Sequence, residues 1–263
     1  MIIFKIGGGK DINREGIAKG LSLVHEPFLI VHGANGLRDE LALKTGYDIK
    51  RITSVSGYSS VFSDPGLIDL MMMAYAGLAN KRWVETLQRH GINAVGLTGL
   101  DGRLIAGKRN AGIRMRKDSK ILMVRDYSGK PSGINAGLLK MLLDRGYVPV
   151  LTVPIIDENG YAVNSENDDI TALLAEELKA DQIVMFIEEK GYLRDPSDPD
   201  SAMERISKSE LAFFVGNASG RIKRKLHALL KIAGREGARA VISDGRGENP
   251  VWDALNNRGT VIS

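Results

Sequence analysis

The chain opens Met1-Ile2-Ile3-Phe4-Lys5-Ile6-Gly7-Gly8-Gly9, an apolar run that carries one charge and stops in three glycines. Near-continuous apolar character over this length predicts a strand covered on both faces, as in a parallel sheet. A lysine in such a strand is expensive unless its ammonium leaves the carboxyl end for a polar crevice, and that end is where open α/β sheets bind ligands. Glycines without Cβ let backbone N–H groups approach an anion, as they do in phosphate cradles. Lysine precedes the glycines and no Lys-Ser/Thr follows them, so this is not a Walker A loop. A second reading is an edge strand whose lysine guards against aggregation, with a plain glycine turn behind it. These nine residues do not choose between the two.

The same sentence is written again further on. Phe28-Leu29-Ile30-Val31 is a second buried strand that opens into His32-Gly33-Ala34-Asn35-Gly36, and residues 37–44 have helical pattern. Strand, glycine turn and helix place amides at a helix N-terminus, which favours an anion and is also the form of an ordinary βα turn. Further apolar strands are expected at Ala94–Leu97, Val148–Val153, Ile183–Ile187, Ala240–Ile242 and Thr260–Ile262. Helical patterns run over 13–24, Pro65–Leu78, Lys81–Arg89, Gly133–Asp144 and Ile170–Leu178, with another beginning near Arg221. Alternation of this kind predicts an α/β fold, a three-layer sandwich around a largely parallel sheet. Residues 45–63 read as a polar flap, Arg103–Asp126 as a hairpin, and Asp157-Glu158-Asn159-Gly160 as a hairpin turn. Met71, Met72 and Met73 read as core filler.

With no cysteine among 263 residues, disulfides, thiolate ligands and thiol nucleophiles are excluded. The apolar stretch Leu67–Ala79 contains Asp69 and is too short to span a bilayer, and the N-terminus lacks a signal-peptide pattern, so a cytoplasmic protein is expected. The net charge is +4, but its placement is uneven. Lys108, Arg109, Arg114, Arg116, Lys117, Lys120 and Arg125 face Asp118 alone within residues 108–125, a local excess above that of the whole chain. A stripe this long suits a macromolecular anion better than a metabolite, or is simply a solvated hairpin face. Nucleic acid is not expected, because no aromatic stacking platform is interleaved with the charges.

Taken in order, several motifs resemble the amino acid kinase family along almost the whole chain. They are Lys5-Ile6-Gly7-Gly8, Val31-His32-Gly33, Asn80-Lys81, and Ala94-Val95-Gly96-Leu97 with Gly99 and Asp101-Gly102. Gly146-Tyr147-Val148-Pro149-Val150, Asn167-Asp168-Asp169 and Lys225 follow. The N-acetylglutamate kinase branch is nearest, and closer still its subgroup acting on amino acids attached to the carrier protein LysW. His32-Gly33-Ala34-Asn35, the basic hairpin and Tyr127-Ser128-Gly129-Lys130-Pro131 point that way.

The resemblance implies ATP-dependent phosphorylation of the side-chain carboxylate of carrier-linked aminoadipate or glutamate, in lysine or arginine biosynthesis. Mg2+ would be carried by the nucleotide, with no metal site on the protein. Residues 1–178 would form the acceptor-substrate and oligomerisation lobe and 179–263 the nucleotide lobe, on one continuous sheet. Lys5 and Lys225 would be the two cations on the transferring phosphoryl group, with Asp169 holding both. Helical angle alone leaves Lys223 open beside Lys225. Ala34, Asn35, Val61 and Asn167 would meet the substrate. Gly7, Gly8, Glu188, Gly191, Tyr192 and Ser219 would meet the nucleotide. Val61 stands where the family has an arginine on the substrate's carboxylate, and Arg51 or Arg38 is placed to reach the same space. The loop Glu188-Glu189-Lys190-Gly191-Tyr192 keeps an acid where the family begins Asp-Val. A homodimer packing through Leu67–Leu78 and an acidic carrier docked on Lys108–Arg125 are also implied. The rival readings are a kinase of free N-acetylglutamate and a non-catalytic member of the fold.

Overall fold

The computed structural model describes residues 1–55, 59–117, 120–217, 226, 228–231, 233 and 238–262. Eight strands form the central sheet, in the order Arg205–Ile206, Thr260–Ile262, Arg239–Asp244, Gln182–Ile187, Ile2–Ile6, Phe28–His32, Val148–Thr152 and Ala94–Thr98. Six of the seven neighbouring pairs are parallel along that order, and Thr260–Ile262 runs antiparallel to Arg239–Asp244. Arg205–Ile206 pairs parallel to Thr260–Ile262. The opening strand is therefore central, not an edge: Lys5 is aligned with Met185 on one side and Val31 on the other. The chain leaves this strand toward Phe28–His32 and later returns to its other side with Gln182–Ile187. Such a reversal of strand order opens a crevice at the carboxyl ends.

Period-two alternation divides the opening strand between two cores. Ile2, Phe4 and Ile6 join Ile17, Trp83, Leu87 and Val251 on one face, while Ile3 joins Leu29, Leu139, Leu151 and Leu174 on the other. Lys5 is on the Ile3 face. Phe4 packs edge-on to Phe28 at 5.5 Å between ring centroids and parallel to Phe186 at 6.2 Å. Each face is covered by helices, which completes the three layers.

Local signals explain several helix starts. Asn13 accepts from Gly16 N at 2.9 Å and caps Arg14–Leu21. Asp64 accepts from Leu67 N at 2.9 Å and Pro65 follows, which starts a helical course that continues to Arg89. Between Met72 and Ala79 this course is wound as a π-helix. Met71 is buried as expected of core filler, whereas Met73 is 52% exposed.

Three expectations are corrected. The helix expected from Gly133 begins at Ala136, capped by Asn135, because Gly129–Ile134 is a strand paired with Ile105–Arg109. The expected single hairpin is accordingly two: that pair forms a base, and Ile113–Lys117 with Lys120–Val124 forms an outlying ribbon. The break is held by buried Asp126, which accepts from Ser63 N at 3.0 Å and Ser128 N at 3.1 Å. The flap contains a short hairpin, Arg51–Thr53 with Ser59–Val61, and Val55, two residues beyond the first strand, donates its N–H to Arg114 O at 2.8 Å. Helix Lys208–Asn217 was not anticipated, and the one expected near Arg221 begins outside the described residues.

Candidate active site

Lys5 Nζ lies 2.8 Å from Asp168 Oδ1, with the two side chains 9% and 18% exposed. The carboxylate belongs to the first turn of helix Asn167–Glu177, where the amide dipoles favour negative charge. Asp169 was expected as the partner, and this is a one-residue correction. Consecutive helix residues point about 100° apart, so the turn that aims Asp168 at Lys5 carries Asp169 away. Asp169 lines the neighbouring cleft instead. Lys223, Lys225 and Ser219 lie outside the described residues. Asn167 binds the same region through its own side chain: its Nδ2 donates to His32 O at 3.1 Å, and Thr152 Oγ1 donates to that oxygen at 3.0 Å.

The two glycine turns pack backbone against backbone. A Cβ on Gly8 would stand 2.5 Å from Ala34 N and 2.6 Å from Asn35 N, and one on Gly33 would stand 2.9 Å from Gly8 N. Gly33 N donates to Ile6 O, and Gly36 N donates to Gly8 O, each at 2.9 Å. Gly7 is a second correction: its amide donates to Phe186 O at 2.9 Å, prolonging the sheet rather than facing a phosphate. Helix Asn35–Thr45 starts at Ala34 without a side-chain cap. Its N-terminal dipole therefore lies beside Gly8 and at the crevice.

The nucleotide candidates are gathered after the strand that ends at Ile187. Glu188 Oε1 accepts from Asp11 N at 2.8 Å, and its carboxylate lies in the space a Cβ on Gly9 would fill. That acid thus clamps the first glycine turn. Tyr192 N donates to Thr260 Oγ1 at 2.7 Å, and the Tyr192 ring stacks on Phe214 at 5.5 Å. Gly191 adjoins the same threonine, since a Cβ there would be 2.6 Å from Thr260 Oγ1.

His32 is a buried structural histidine. Burial, assisted by Arg14 and opposed by the Gly33 carbonyl, pushes its pKa down to about 4. The neutral ring lies 3.1 Å from Asn80 Nδ2, which also donates to Val150 O at 2.9 Å. A carboxylate acceptor needs no general base, and this histidine has no free nitrogen positioned as one.

Beside this crevice lies a cleft of about 820 Å3. It is lined by Asn164, Glu166 and Asp169 and by Val61, Arg114 and Lys130. Val61 is buried and directly opposite Arg51 across the short hairpin. Arg38 is buried and tied to Asp39 through Nε at 2.9 Å and Nη2 at 2.6 Å. Lys130 of the Tyr127–Pro131 motif is a lining cation that sequence reasoning did not single out. Its signal was present in that motif. Arg109, from the basic window, turns back to the hairpin base and stacks over Tyr127 at 3.7 Å.

A lysine paired at a switch point, a glycine turn in contact with a helix N-terminus, and an adjoining cleft can hold an anion and neutralise charge moving within it. Residues 2–244 match the Amino acid kinase family. The chain belongs to the amino acid kinase family. It is 37% identical to a LysW-aminoadipate kinase of Deinococcus radiodurans, over 100% of this chain and 91% of the relative. It is 35% identical to a LysW-aminoadipate kinase of Thermus thermophilus, over 100% of both chains. The fold matches a Giardia carbamate kinase with a TM-score of 0.67 at 17% identity, over 99% of this chain and 97% of that one. No helix among the described residues is long and apolar enough to cross a membrane.

Proposed function

We propose that this amino acid kinase transfers the γ-phosphoryl group of ATP to the side-chain carboxylate of aminoadipate or glutamate linked to a LysW-like carrier. The observation that carries this reading is the shared cleft. Arg114 and Lys130, from the basic hairpin region, line the same space as Asn164 and Asp169, next to the Lys5–Asp168 pair. A carrier seated on the basic surface would deliver its amino acid to the reacting end of the molecule. The relatives' names support the carrier-linked acceptor.

The acceptor carboxylate is ionised at neutral pH, so its oxygen attacks the γ-phosphorus directly while ADP leaves, forming an acyl phosphate. The difficulty is bringing two anions together. Lys5, oriented by Asp168, supplies one charge to the transferring oxygens, and Lys225 is proposed to supply the second. The amide of Gly8 and the N-terminus of helix Asn35–Thr45 receive phosphate oxygens. Residues 179–263 carry the nucleotide, with Glu188 holding the glycine turn in shape and Gly191, Tyr192 and Ser219 on the nucleotide side. Among the described residues, no three histidine, aspartate or glutamate side chains converge on an ion site. Mg2+ is proposed to be carried by the triphosphate, where it would neutralise phosphate charge. On the acceptor side, Lys130 and Arg114 supply the positive charge that Val61 lacks. Exposed Met73 and Leu78 are proposed to pack across a homodimer axis.

The test compares ADP release with carrier-linked aminoadipate, carrier-linked glutamate and free N-acetylglutamate. Efficient turnover of a carrier-linked acceptor supports the reading. Turnover of the free compound alone would replace it with an N-acetylglutamate kinase.

A further inference from the structure

The side-chain amide of Asn35 has an orientation set by two donors. Tyr75 Oη donates to Asn35 Oδ1, and Arg38 Nη1 donates to the same oxygen at 3.2 Å. An amide oxygen accepts two hydrogen bonds, and arginine has no acceptor. Rotating the amide by half a turn would set its N–H groups against the guanidinium, so the flipped form is excluded. Arg38 is itself immobilised, with its guanidinium held by Asp39. Tyr75 is buried in the π-wound stretch, and burial pushes its pKa up to about 12, so it remains a donor at any working pH. Asn35 nevertheless stays exposed as the first residue of its helix, against Gly8.

We infer that Tyr75 and Arg38 are positioning residues that fix Asn35 so that its Nδ2 donates to an oxygen of the acceptor substrate. The oxygen is a carboxylate or amide carbonyl of the acceptor, since the phosphoryl oxygens have Lys5 and the Gly8 turn. This rests on the kinase reading above. It adds a specificity element: an acceptor bearing a donor at that place would meet a donor and be rejected.

Two variants separate positioning from folding. Asn35→Asp keeps an acceptor for Tyr75 and Arg38 and suits the helix N-terminus, so the Tm should hold, but it removes both N–H donors. Tyr75→Phe keeps the ring and removes one of the two donors that hold the amide, leaving it less firmly oriented. Acceptor affinity is measured by calorimetry with carrier-linked aminoadipate, alongside KM and kcat. Tyr75→Phe should raise acceptor Kd and KM by roughly tenfold, the scale of one lost hydrogen bond, with KM for ATP and kcat nearly unchanged. Asn35→Asp should raise them by at least roughly as much. If both variants bind acceptor as wild type does while wild type turns over, the orientation idea fails and the kinase reading stands. If wild type binds none of the acceptors tried, both fail.

Discussion

Lys5 and Arg114 are both cations near one cleft, yet their surroundings oppose each other. Lys5 is 7% exposed and paired at 2.8 Å with a carboxylate on a helix N-terminus. Arg114 is exposed on a ribbon that also shows Ile121 and Met123 at 50% and 63% exposure. A buried charge is held in a fixed geometry and acts over a few ångströms with little screening. A ribbon charge acts through water, is screened within about 8 Å at physiological salt, and changes encounter more than chemistry. On the proposed reading, the molecule separates the bond-making step from the recognition of whatever brings the substrate.

The sharpest way to break that separation is at the buried pair. Lys5→Ala should lower kcat by roughly 10²–10³, the scale of one preorganised charge donor, with acceptor KM little changed. Asp168→Asn should lower kcat comparably. It should also cost about 3 kcal/mol of stability in urea unfolding, because it leaves a buried ammonium uncompensated. Full activity in both variants would remove the catalytic reading of the crevice.

A second measurement uses pH. The folded pKa of His32 lies below its unfolded value, so the unfolded chain takes up the proton first as pH falls. Its contribution is present above about pH 6.5 and is lost as pH drops toward 4, amounting to roughly 3 kcal/mol at the acid end. His32→Gln should flatten the pH dependence of stability in that window relative to wild type. Equal slopes would mean that the ring is not buried neutral.

Smaller effects belong to the ribbon. Reversing Arg114, Arg116 and Lys117 to glutamate should raise KM for carrier-linked acceptor by roughly tenfold and weaken its salt dependence, with kcat almost unchanged. A wild-type salt profile in the triple variant would reduce the ribbon to a solvated face. The smallest change is expected at Asp169→Asn, roughly threefold or less in kcat, since a partly screened carboxylate on the cleft wall contributes little. A loss matching Asp168→Asn would return the anchoring role to Asp169.

Much of the crevice was legible because its signals are local. Lys5 with three glycines behind it, and His32-Gly33 before a helical pattern, each describe a strand end within ten residues. The errors are of three physical kinds. Asp168 and Asp169 differ by one step of helix phase, and no sequence pattern states which step faces the sheet. The Gly7 amide depends on a neighbouring strand carbonyl, Phe186 O, far along the chain. The basic segment divides into base and ribbon because Asp126 is captured by Ser63 N, 63 residues away.

The sequence by itself determined the strand–helix alternation, the glycine turns, the family motifs and the uneven charge, because each is written in short windows of side-chain chemistry. Only the tertiary structure decided that the opening strand is central, which carboxylate meets Lys5, and that Asn35 is held by Tyr75 across 40 residues. Those outcomes depend on which backbones and side chains meet once the two cores close. Burial and hydrogen bonding between distant segments select among arrangements that local periodicity leaves equal.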